Sequence, residues 1–268
     1  MLPNFIMIGA PRAGTTWTIK NLRLHPEIFV AKETEIHFFD THYNKGIEYY
    51  EEKFKGVKGE LAIGEKTPDY LYNKKAPELM KRHLPDIKLI VILRNPVERL
   101  YSRYWNSKAK YSTNINLTFE EKIKKKPIFI EEGFYYDHLV RYFKYYPQDK
   151  FLILFFEDLL SQPYDFLNNI YKFINVDETF ISPLVERKIN TAKSKKYLAK
   201  SRILWNVQRA LMRFKIYKLA FMIENINKNE YPKMNFETQK WLVDEVYKEQ
   251  NYKLGKLLGI DLSHWNVF

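Results

Sequence analysis

The chain begins with a short apolar run that leads directly into a glycine-bounded loop and then into a predicted helix. Residues 5–8 predict a buried strand, Gly9 and Gly14 bound the loop, and the helix follows. The N–H groups in the first turn of a helix lack intrahelical acceptors, and the helix dipole favours an anion beside them. The start of the chain therefore predicts a phosphate-binding loop at the end of a strand.

The loop lacks the lysine of a nucleotide triphosphatase. Gly9 and Gly14 have the spacing of a Walker A loop, but Thr15 stands where that loop has its lysine. The cation inside the loop is Arg12. The loop therefore predicts phosphate binding without the usual apparatus for a γ-phosphate and magnesium. A capped helix start that holds no ligand is the alternative.

Strand-like and helix-like segments alternate along the chain, which is typical of a parallel sheet covered by helices. The predicted strands are residues 5–8, 61–64, 88–93 and 151–156. The predicted helices are residues 16–24, 76–83, 96–105, 134–143 and 163–174, with a last helix within 235–258. The polar residues 108–127 predict a loop or lid. We expect an α/β, P-loop-like three-layer fold with a central, mostly parallel sheet flanked by helices, in a single domain, 1–268.

Composition excludes several classes of protein. A hydrophobic fraction of 46% with 16% aromatic residues over 268 residues excludes a disordered chain. The absence of cysteine excludes disulfides, thiolate zinc sites and cysteine nucleophiles. No His/Asp cluster has ligand spacing, so no metal is expected. Neither a leader-like segment nor an apolar stretch of about 20 residues stands out, which predicts a cytoplasmic protein without a transmembrane segment.

The net charge of +12 suits an anionic partner. Zinc-finger spacing, RNP-like aromatics and a basic tail are missing from the sequence, which argues against nucleic acid. Within residues 195–221, apolar residues at helical spacing are flanked by Arg and Lys. They are Ile203, Val207, Ala210, Phe214, Tyr217 and Phe221. This stripe either faces the core or makes a peripheral contact with an anionic membrane or a polyanion. The oligomeric state is left open.

A second motif follows the aliphatic strand at residues 88–93. Arg94 stands at the end of that strand, and Ser102 comes eight residues later in the predicted helix. A guanidinium at the carboxyl end of a strand can bind a phosphate through two donors, and a nearby hydroxyl can add a third. Taken alone, the position of Arg94 favours an ion pair with Glu98 over phosphate binding.

The loop and the second motif together resemble the sulfotransferases that use 3′-phosphoadenosine 5′-phosphosulfate (PAPS). That family's loop reads P-K/R-x-G-T-T, and the matching residues here run from Pro11 through Arg12, Ala13, Gly14, Thr15 and Thr16 to Trp17. The resemblance implies that these residues bind the 5′-phosphosulfate, and that Arg94 and Ser102 bind the 3′-phosphate. Lys193 is the candidate for the family's later cofactor loop, although the expected glycine is missing there.

Further segments resemble the heparan sulfate branch of that family. Residues 32–39 resemble the branch's segment in which a glutamate two residues before His/Gln-Phe-Phe is the catalytic base, which implies this role for Glu35. Residues 64–70 and 133–139 resemble segments that bring Lys66 and His138 near the reacting centre. Arg12 replaces the lysine usual in this branch, and Arg can only stabilise charge. We expect burial beside Phe38 and Phe39 to raise the pKa of Glu35.

The resemblance therefore implies a PAPS-dependent sulfotransferase that acts by in-line transfer with a Glu base. The implied acceptor group is a hydroxyl or an amine. It belongs to a glycan, a glycolipid or another small metabolite, so that the acceptor molecule is a saccharide or is lipid-linked. Two alternatives remain open at this point: a P-loop-like kinase of a small metabolite, and a non-catalytic module that binds a nucleotide or polyanion.

Overall fold

The structure is a computed structural model that describes residues 1–110, 117–185, 197–199, 202–213, 216, 219–220, 222–223, 228–230 and 232–267. Its centre is a parallel sheet of five strands in the order β2-β3-β1-β4-β5. The strands are β1 (Phe5–Gly9), β2 (Ile28–Val30), β3 (Ala62–Lys66), β4 (Lys88–Leu93) and β5 (Phe151–Phe155). A separate antiparallel pair consists of β6 (Tyr197–Ala199) and β7 (Lys228–Glu230).

Helices surround the central sheet. The first six are α1 (Thr15–Leu22), α2 (Ile47–Glu51), α3 (Ala76–His83), α4 (Pro96–Lys110), α5 (Phe119–Lys125) and α6 (Ile128–Glu131). The next six are α7 (Tyr135–Phe143), α8 (Phe156–Ser161), α9 (Pro163–Ile174), α10 (Arg202–Arg213), α11 (Phe236–Trp241) and α12 (Lys248–Leu258). Short 3₁₀ or π turns occupy Phe38–His42, Tyr43–Lys45, Glu52–Phe54, Pro68–Tyr70, Gln148–Lys150, Leu242–Tyr247 and Ser263–Asn266. Among the described residues, no helix has both the length and the apolar character needed to cross a bilayer.

The predicted α/β fold with a parallel sheet is confirmed. All residues of β1 and β3 are buried, as a parallel sheet covered by helices requires. Strand β2 was not predicted, and β3 lies one to two residues later than expected, so that Lys66 belongs to the strand.

Residues 108–127 are only partly a loop. α5 lies within this stretch and begins at a capping box between Thr118 and Glu121. The prediction of a loop or lid is wrong at residues 108–110, which continue α4, and at residues 119–125, where the T-x-x-E pattern starts a helix. Residues 111–116 lie outside the described part of the chain.

The apolar stripe on α10 is exposed at the positions that the structure describes. Ile203 is 75% and Val207 41% exposed, so neither faces the core. Ala210 is exposed as well. The remaining members of the stripe, Phe214, Tyr217 and Phe221, lie outside the described residues.

Two apolar clusters form the described core. The larger one covers the central sheet and includes the side chains of β1 and β4. The smaller one joins α4, α5 and the turn Leu242–Tyr247 beside the sheet.

The sheet order brings three strand ends together at one edge. Met7 pairs with Lys66, and Gly9 pairs with Val91, so the carboxyl ends of β3, β1 and β4 lie side by side. β1 lies between β3 on one side and β4 on the other, and such a position is where parallel α/β sheets bind their ligands.

Candidate active site

The loop between β1 and α1 occupies the centre of this edge. Arg12 and Gly14 have backbone φ angles of 70° and 90°, which turn the chain sharply from the strand into the helix. The amides of Trp17 and Thr18 donate to the carbonyl of Gly14, so the helix is formed from its first turn. The amides just before them, those of Thr15 and Thr16, have no intrahelical acceptors, so this helix start can bind an anion at the loop.

Glycine is required at the last position of the loop. A Cβ atom on Gly14 would lie 2.9 Å from Cδ1 of Leu159, and the positive φ angle is itself strained for other residues. The sequence pattern G-x-x-x-x-G therefore has a steric cause here as well as a conformational one.

Arg12 reaches from the loop to α4. Its Nε donates to Oγ of Ser102 at 3.2 Å, and its Nη1 donates to Oδ1 of Asn106 at 3.2 Å. The structure thus brings together two residues that are 90 positions apart in the sequence. Asn106 was not among the predicted site residues, although it lies one helical turn beyond Ser102.

Arg94 joins the loop to the end of β4. Its Nη1 donates to the carbonyl of Arg12 at 3.2 Å, and its Nη2 donates to Glu98 at 2.8 Å. The guanidinium carbon lies 4.6 Å from the centre of the Phe156 ring. The expected ion pair with Glu98 and the expected place beside the loop are therefore both present. The contact with Phe156 is a cation–π interaction, which the sequence did not predict.

The other predicted cofactor residues line the same loop. Pro11, Ala13 and Thr15 are buried, Trp17 is half-buried, and Thr16 is exposed. Lys193 lies outside the described residues.

The second part of the site centres on Glu35. Nζ of Lys66 donates to Oε1 of Glu35 at 2.7 Å, and Nε2 of His37 lies 3.3 Å from Oε2. The Lys66 side chain is only 1% exposed, whereas that of Glu35 is 36% exposed. The structure therefore joins the predicted Glu35 and Lys66 directly. Lys66 was expected near the reacting centre, but its salt bridge with Glu35 was not predicted.

His37 and Asp40 complete this group of charges. Nδ1 of His37 lies 2.8 Å from Oδ2 of Asp40, so each ring nitrogen has a carboxylate partner. The hydrogen bonds to Asp40 and Glu35 raise the pKa of His37 to about 10. His37 is therefore an imidazolium at neutral pH. It was missed from the sequence, although it stands two residues after Glu35.

The expectation that burial raises the pKa of Glu35 is wrong. Burial does act in that direction, but the hydrogen bonds from His37 and Lys66 outweigh it and lower the pKa to about 2. Glu35 is thus a carboxylate throughout the neutral range, held between two cations.

His37, Asp40 and Asp69 each place one ligand atom within 4.8 Å of the others. An imidazolium carries a proton on both nitrogens and has no lone pair for a metal ion. With its raised pKa, His37 makes this a cluster of hydrogen bonds and charges. The absence of a metal stays a prediction.

His138 lies on α7 and is buried. Its Nε2 donates to the carbonyl of Glu131 at 2.9 Å, and burial lowers its pKa to about 3, so the ring is neutral. Within the described part of the chain, its hydrogen bond is to this carbonyl rather than to Arg12, Glu35 or Lys66. The predicted catalytic role of His138 stays a prediction.

A family model described as "Sulfotransferase domain" matches residues 2–255. The chain belongs to the sulfotransferase family. This membership confirms the predicted class of enzyme, and the family implies PAPS as the sulfuryl donor.

The curated relatives include enzymes of the heparan sulfate branch. Heparan sulfate glucosamine 3-O-sulfotransferase 3B1 of Mus musculus is 32% identical over 183 residues, which are 65% of this chain and 46% of the relative. The human 3-O-sulfotransferase 5 is 32% identical over 187 residues, 65% of this chain and 54% of the relative. The chain thus spans about half the length of these relatives.

A solved structure shares the fold over its whole length. The sulfotransferase from Alicyclobacillus acidocaldarius superposes with a TM-score of 0.74 at 20% identity, and the match covers 100% of both chains. This likeness confirms the predicted fold.

The residues at the sheet edge fit the donor of this sulfotransferase. Two guanidinium groups, the hydroxyl of Ser102 and the first-turn amides of α1 converge on one loop. Such a set suits the phosphate and phosphosulfate groups of a nucleotide, because every member is a hydrogen-bond donor.

Proposed function

We propose that this sulfotransferase transfers the sulfuryl group of PAPS to a hydroxyl or amine of a saccharide acceptor, with Glu35 as the general base. One observation carries the proposal: the Glu35 carboxylate is held by Lys66, and Lys66 pairs with Met7 just before the loop of Arg12. A proton acceptor is thus held by a residue of β3, the strand next to the one that leads into the anion-binding loop. In-line transfer needs this arrangement, with the acceptor oxygen between the base and the donor.

The donor side is assigned to the loop and α4. PAPS supplies an activated sulfuryl group whose departure leaves negative charge on the nucleotide's phosphate. Arg12 and the amides around Thr15 and Thr16 stabilise charge at that position, because they are fixed donors in a partly buried site. Arg94 and Ser102 bind the 3′-phosphate.

The acceptor side is assigned to Glu35, Lys66 and His37. A carboxylate with a pKa of about 2 is a weak base. We therefore expect Glu35 to take the proton late, when the bond to sulfur has made the acceptor oxygen acidic. Lys66 and His37 keep Glu35 ionised and hold its carboxylate in place for the acceptor. The buried ammonium group of Lys66 also offsets negative charge on the sulfuryl oxygens.

A saccharide is proposed as the acceptor because two relatives at 32% identity are named for glucosamine 3-O-sulfation. The net charge of +12 supports an anionic saccharide. A panel assay with radiolabelled PAPS tests this assignment. It compares an N-sulfated glucosamine oligosaccharide, its uncharged counterpart, a glycolipid and a simple phenol. Transfer to the phenol or glycolipid alone would contradict it.

Thermal unfolding with two nucleotides tests the donor. Adenosine 3′,5′-bisphosphate should stabilise the chain, by about 2.7 kcal/mol at 100 times Kd, whereas ATP with magnesium should have little effect. Preferential stabilisation by ATP with magnesium would support the kinase alternative instead.

A further inference from the structure

A buried carboxylate lies directly behind the segment that carries Glu35. Glu65 and Thr67 flank Lys66 at the end of β3, and alternate residues of a strand point to opposite sides. Lys66 therefore reaches Glu35, whereas Glu65 and Thr67 point to the other side. Glu65 is 1% and Thr67 0% exposed.

Glu65 accepts hydrogen bonds from several hydroxyl groups. Tyr50 donates to its Oε1 at 2.9 Å, and Thr67 donates to its Oε2 at 2.6 Å. The hydroxyl of Tyr70 also interacts with Glu65 and lowers its pKa. Both carboxylate oxygens are thus occupied as acceptors.

Two of these hydroxyls hold the backbone of the catalytic segment. Oγ1 of Thr67 accepts from the amides of Ile36 at 3.1 Å and His37 at 3.4 Å. The hydroxyl of Tyr70 accepts from the next two amides, those of Phe38 at 2.8 Å and Phe39 at 3.3 Å. Four successive amides after Glu35 are therefore bound by two side chains that meet at one carboxylate.

The direction of each hydrogen bond follows from the chemistry of the groups. An amide can only donate, so the oxygen of Thr67 must accept from Ile36 and His37. The hydroxyl proton of Thr67 is then donated to Glu65, which must accept it through a lone pair. All of these hydrogen bonds are satisfied when Glu65 is a carboxylate, whereas a proton on Glu65 adds a donor that competes with one of the hydroxyl groups for its place.

We propose that Glu65 is a positioning residue for the transfer reaction: through Thr67 and Tyr70, it fixes the backbone after Glu35 and so aims the base. The inference rests on the proposed role of Glu35. Glu65 and Thr67 are buried, so they act on the base only through these hydrogen bonds to the backbone of residues 36–39.

The proposal has a consequence for pH. Burial raises the pKa of Glu65 to about 7, although its hydroxyl partners act in the opposite direction. The titratable groups that face it are Tyr50 from α2, Tyr70 from the turn Pro68–Tyr70, and Asp40 from the turn Phe38–His42. β1 contributes the apolar Ile6 at the paired position.

Wild-type turnover should therefore fall as the pH drops below about 7. Glu35 and His37, with pKa values of about 2 and about 10, do not change charge near pH 7. The acid limb of kcat should thus report Glu65. A wild-type kcat that stays flat through this range would overturn the proposal without any variant.

Two substitutions separate positioning from folding. Thr67→Val keeps the shape but removes the hydroxyl, and misaiming a base costs on the order of 10²-fold in kcat. Thr67→Ser restores the hydroxyl and should recover most of kcat. KM for PAPS and the Kd for adenosine 3′,5′-bisphosphate should stay near wild type in both. Equal kcat in Thr67→Val and wild type, or equal loss in both variants, would refute the proposal.

Glu65→Gln should give a low kcat that no longer rises with pH, because the amide donates where the carboxylate accepts. Tyr146→Phe is the matched control, since the buried hydroxyl of Tyr146 donates to the carbonyl of Leu84. It should change the melting temperature but not the pH profile. If Thr67→Val does not fold, the dependence of kcat on pH in Glu65→Gln and in the wild type tests the proposal without it.

The same experiments distinguish this proposal from the assignment of the base. Full activity in Glu35→Gln would refute Glu35 as the base. A crippled Glu35→Gln combined with a fully active Thr67→Val would refute only the positioning role.

Discussion

At the scale of single residues, the site is controlled by which charges lie within hydrogen-bond reach of one another. Glu35, Lys66, His37 and Asp40 alternate in sign along one path. Each charge has a neighbour of opposite sign, and the resulting pKa shifts keep Glu35 and His37 ionised over a wide range of pH. The sequence pattern predicted Glu35 and Lys66 separately, but the partner of each depends on contacts between distant segments.

The charges of His37 and Glu35 predict a pH-dependent contribution to stability. The raised pKa of His37 stabilises the fold fully below its ordinary value of 6.5, and this contribution is lost as the pH rises through about 10. The lowered pKa of Glu35 stabilises the fold above 4.5, and this contribution is lost as the pH falls to about 2. Both contributions are therefore complete between pH 4.5 and 6.5.

Thermal unfolding of His37→Gln across pH 5 to 10.5 measures this effect. The melting-temperature difference from wild type should be largest below pH 6.5 and should shrink towards pH 10. A difference that stays constant or grows with pH would show that His37 is not charged in the folded protein.

Arg94 and Ser102 predict a loss of nucleotide affinity on substitution. A charge-assisted hydrogen bond contributes about 1.5–3 kcal/mol, so Arg94→Ala should weaken adenosine 3′,5′-bisphosphate binding roughly tenfold or more. Ser102→Ala should weaken it less. Isothermal titration measures both. Arg82→Ala is the control, because Arg82 also pairs with a Glu four positions away but lies on α3. Unchanged affinity in both site variants would remove the 3′-phosphate assignment.

At the scale of elements, patterns within the sequence predicted most of the sheet and its helices. The apolar runs of β1, β4 and β5 identify strands because nearly every residue in them is apolar, although β5, at the edge of the sheet, is mostly half-buried rather than buried as predicted. β2 has only three residues and no comparable run, and the π turn Phe38–His42 has no sequence signature. α5 was missed although its capping box can be read directly from the sequence.

The loop between β1 and α1 depends on Gly14, which gives a prediction for Gly14→Ala. The positive φ angle of 90° and the 2.9 Å approach to Leu159 should together lower the free energy of unfolding by at least about 1–2 kcal/mol and displace the loop. Affinity for adenosine 3′,5′-bisphosphate should fall as well. Urea unfolding and titration measure the two effects.

Gly59→Ala is the matched control for this prediction. Gly59 has a φ angle of 116°, but no atom lies within 4 Å of the Cβ position. Its substitution should cost stability through the backbone alone and leave nucleotide affinity intact. Equal losses of affinity in both variants would show that the loop is not the binding site.

At the scale of the whole molecule, the site exists because the sheet order places distant segments side by side. Glu35 and Lys66 are 31 residues apart, and Arg12 and Ser102 are 90 apart. Such pairings arise from the packing of the whole sheet, so local sequence patterns cannot show them. The resemblance to a family identified the candidate site residues, and only the fold shows which of them contact one another. The single-domain organisation and the cytoplasmic location stay predictions.

A buried ion pair beside the sheet predicts a large loss of stability. Nη1 of Arg99 lies 2.7 Å from Oε2 of Glu132, and their side chains are 0% and 3% exposed. Glu132→Ala leaves a buried guanidinium without its carboxylate, which should cost about 3–5 kcal/mol. Glu249→Ala removes the partner of Lys253 at an exposed pair and should leave the unfolding midpoint nearly unchanged. Equal unfolding midpoints for the two variants would contradict the burial of the ion pair between Arg99 and Glu132.

The central claim is that Glu35 accepts the proton of the acceptor, and one pair of variants tests it most directly. Glu33 is the natural control, because it lies two residues away, bears the same charge and pairs with Lys53 instead of Lys66. The measurement is kcat for sulfuryl transfer from PAPS, together with the Kd for adenosine 3′,5′-bisphosphate. Glu35→Gln should lower kcat by about 10²–10⁴-fold with Kd near wild type, and Glu33→Gln should change both little. Full activity in Glu35→Gln, or a crippling loss in Glu33→Gln alone, would contradict the assignment of the base.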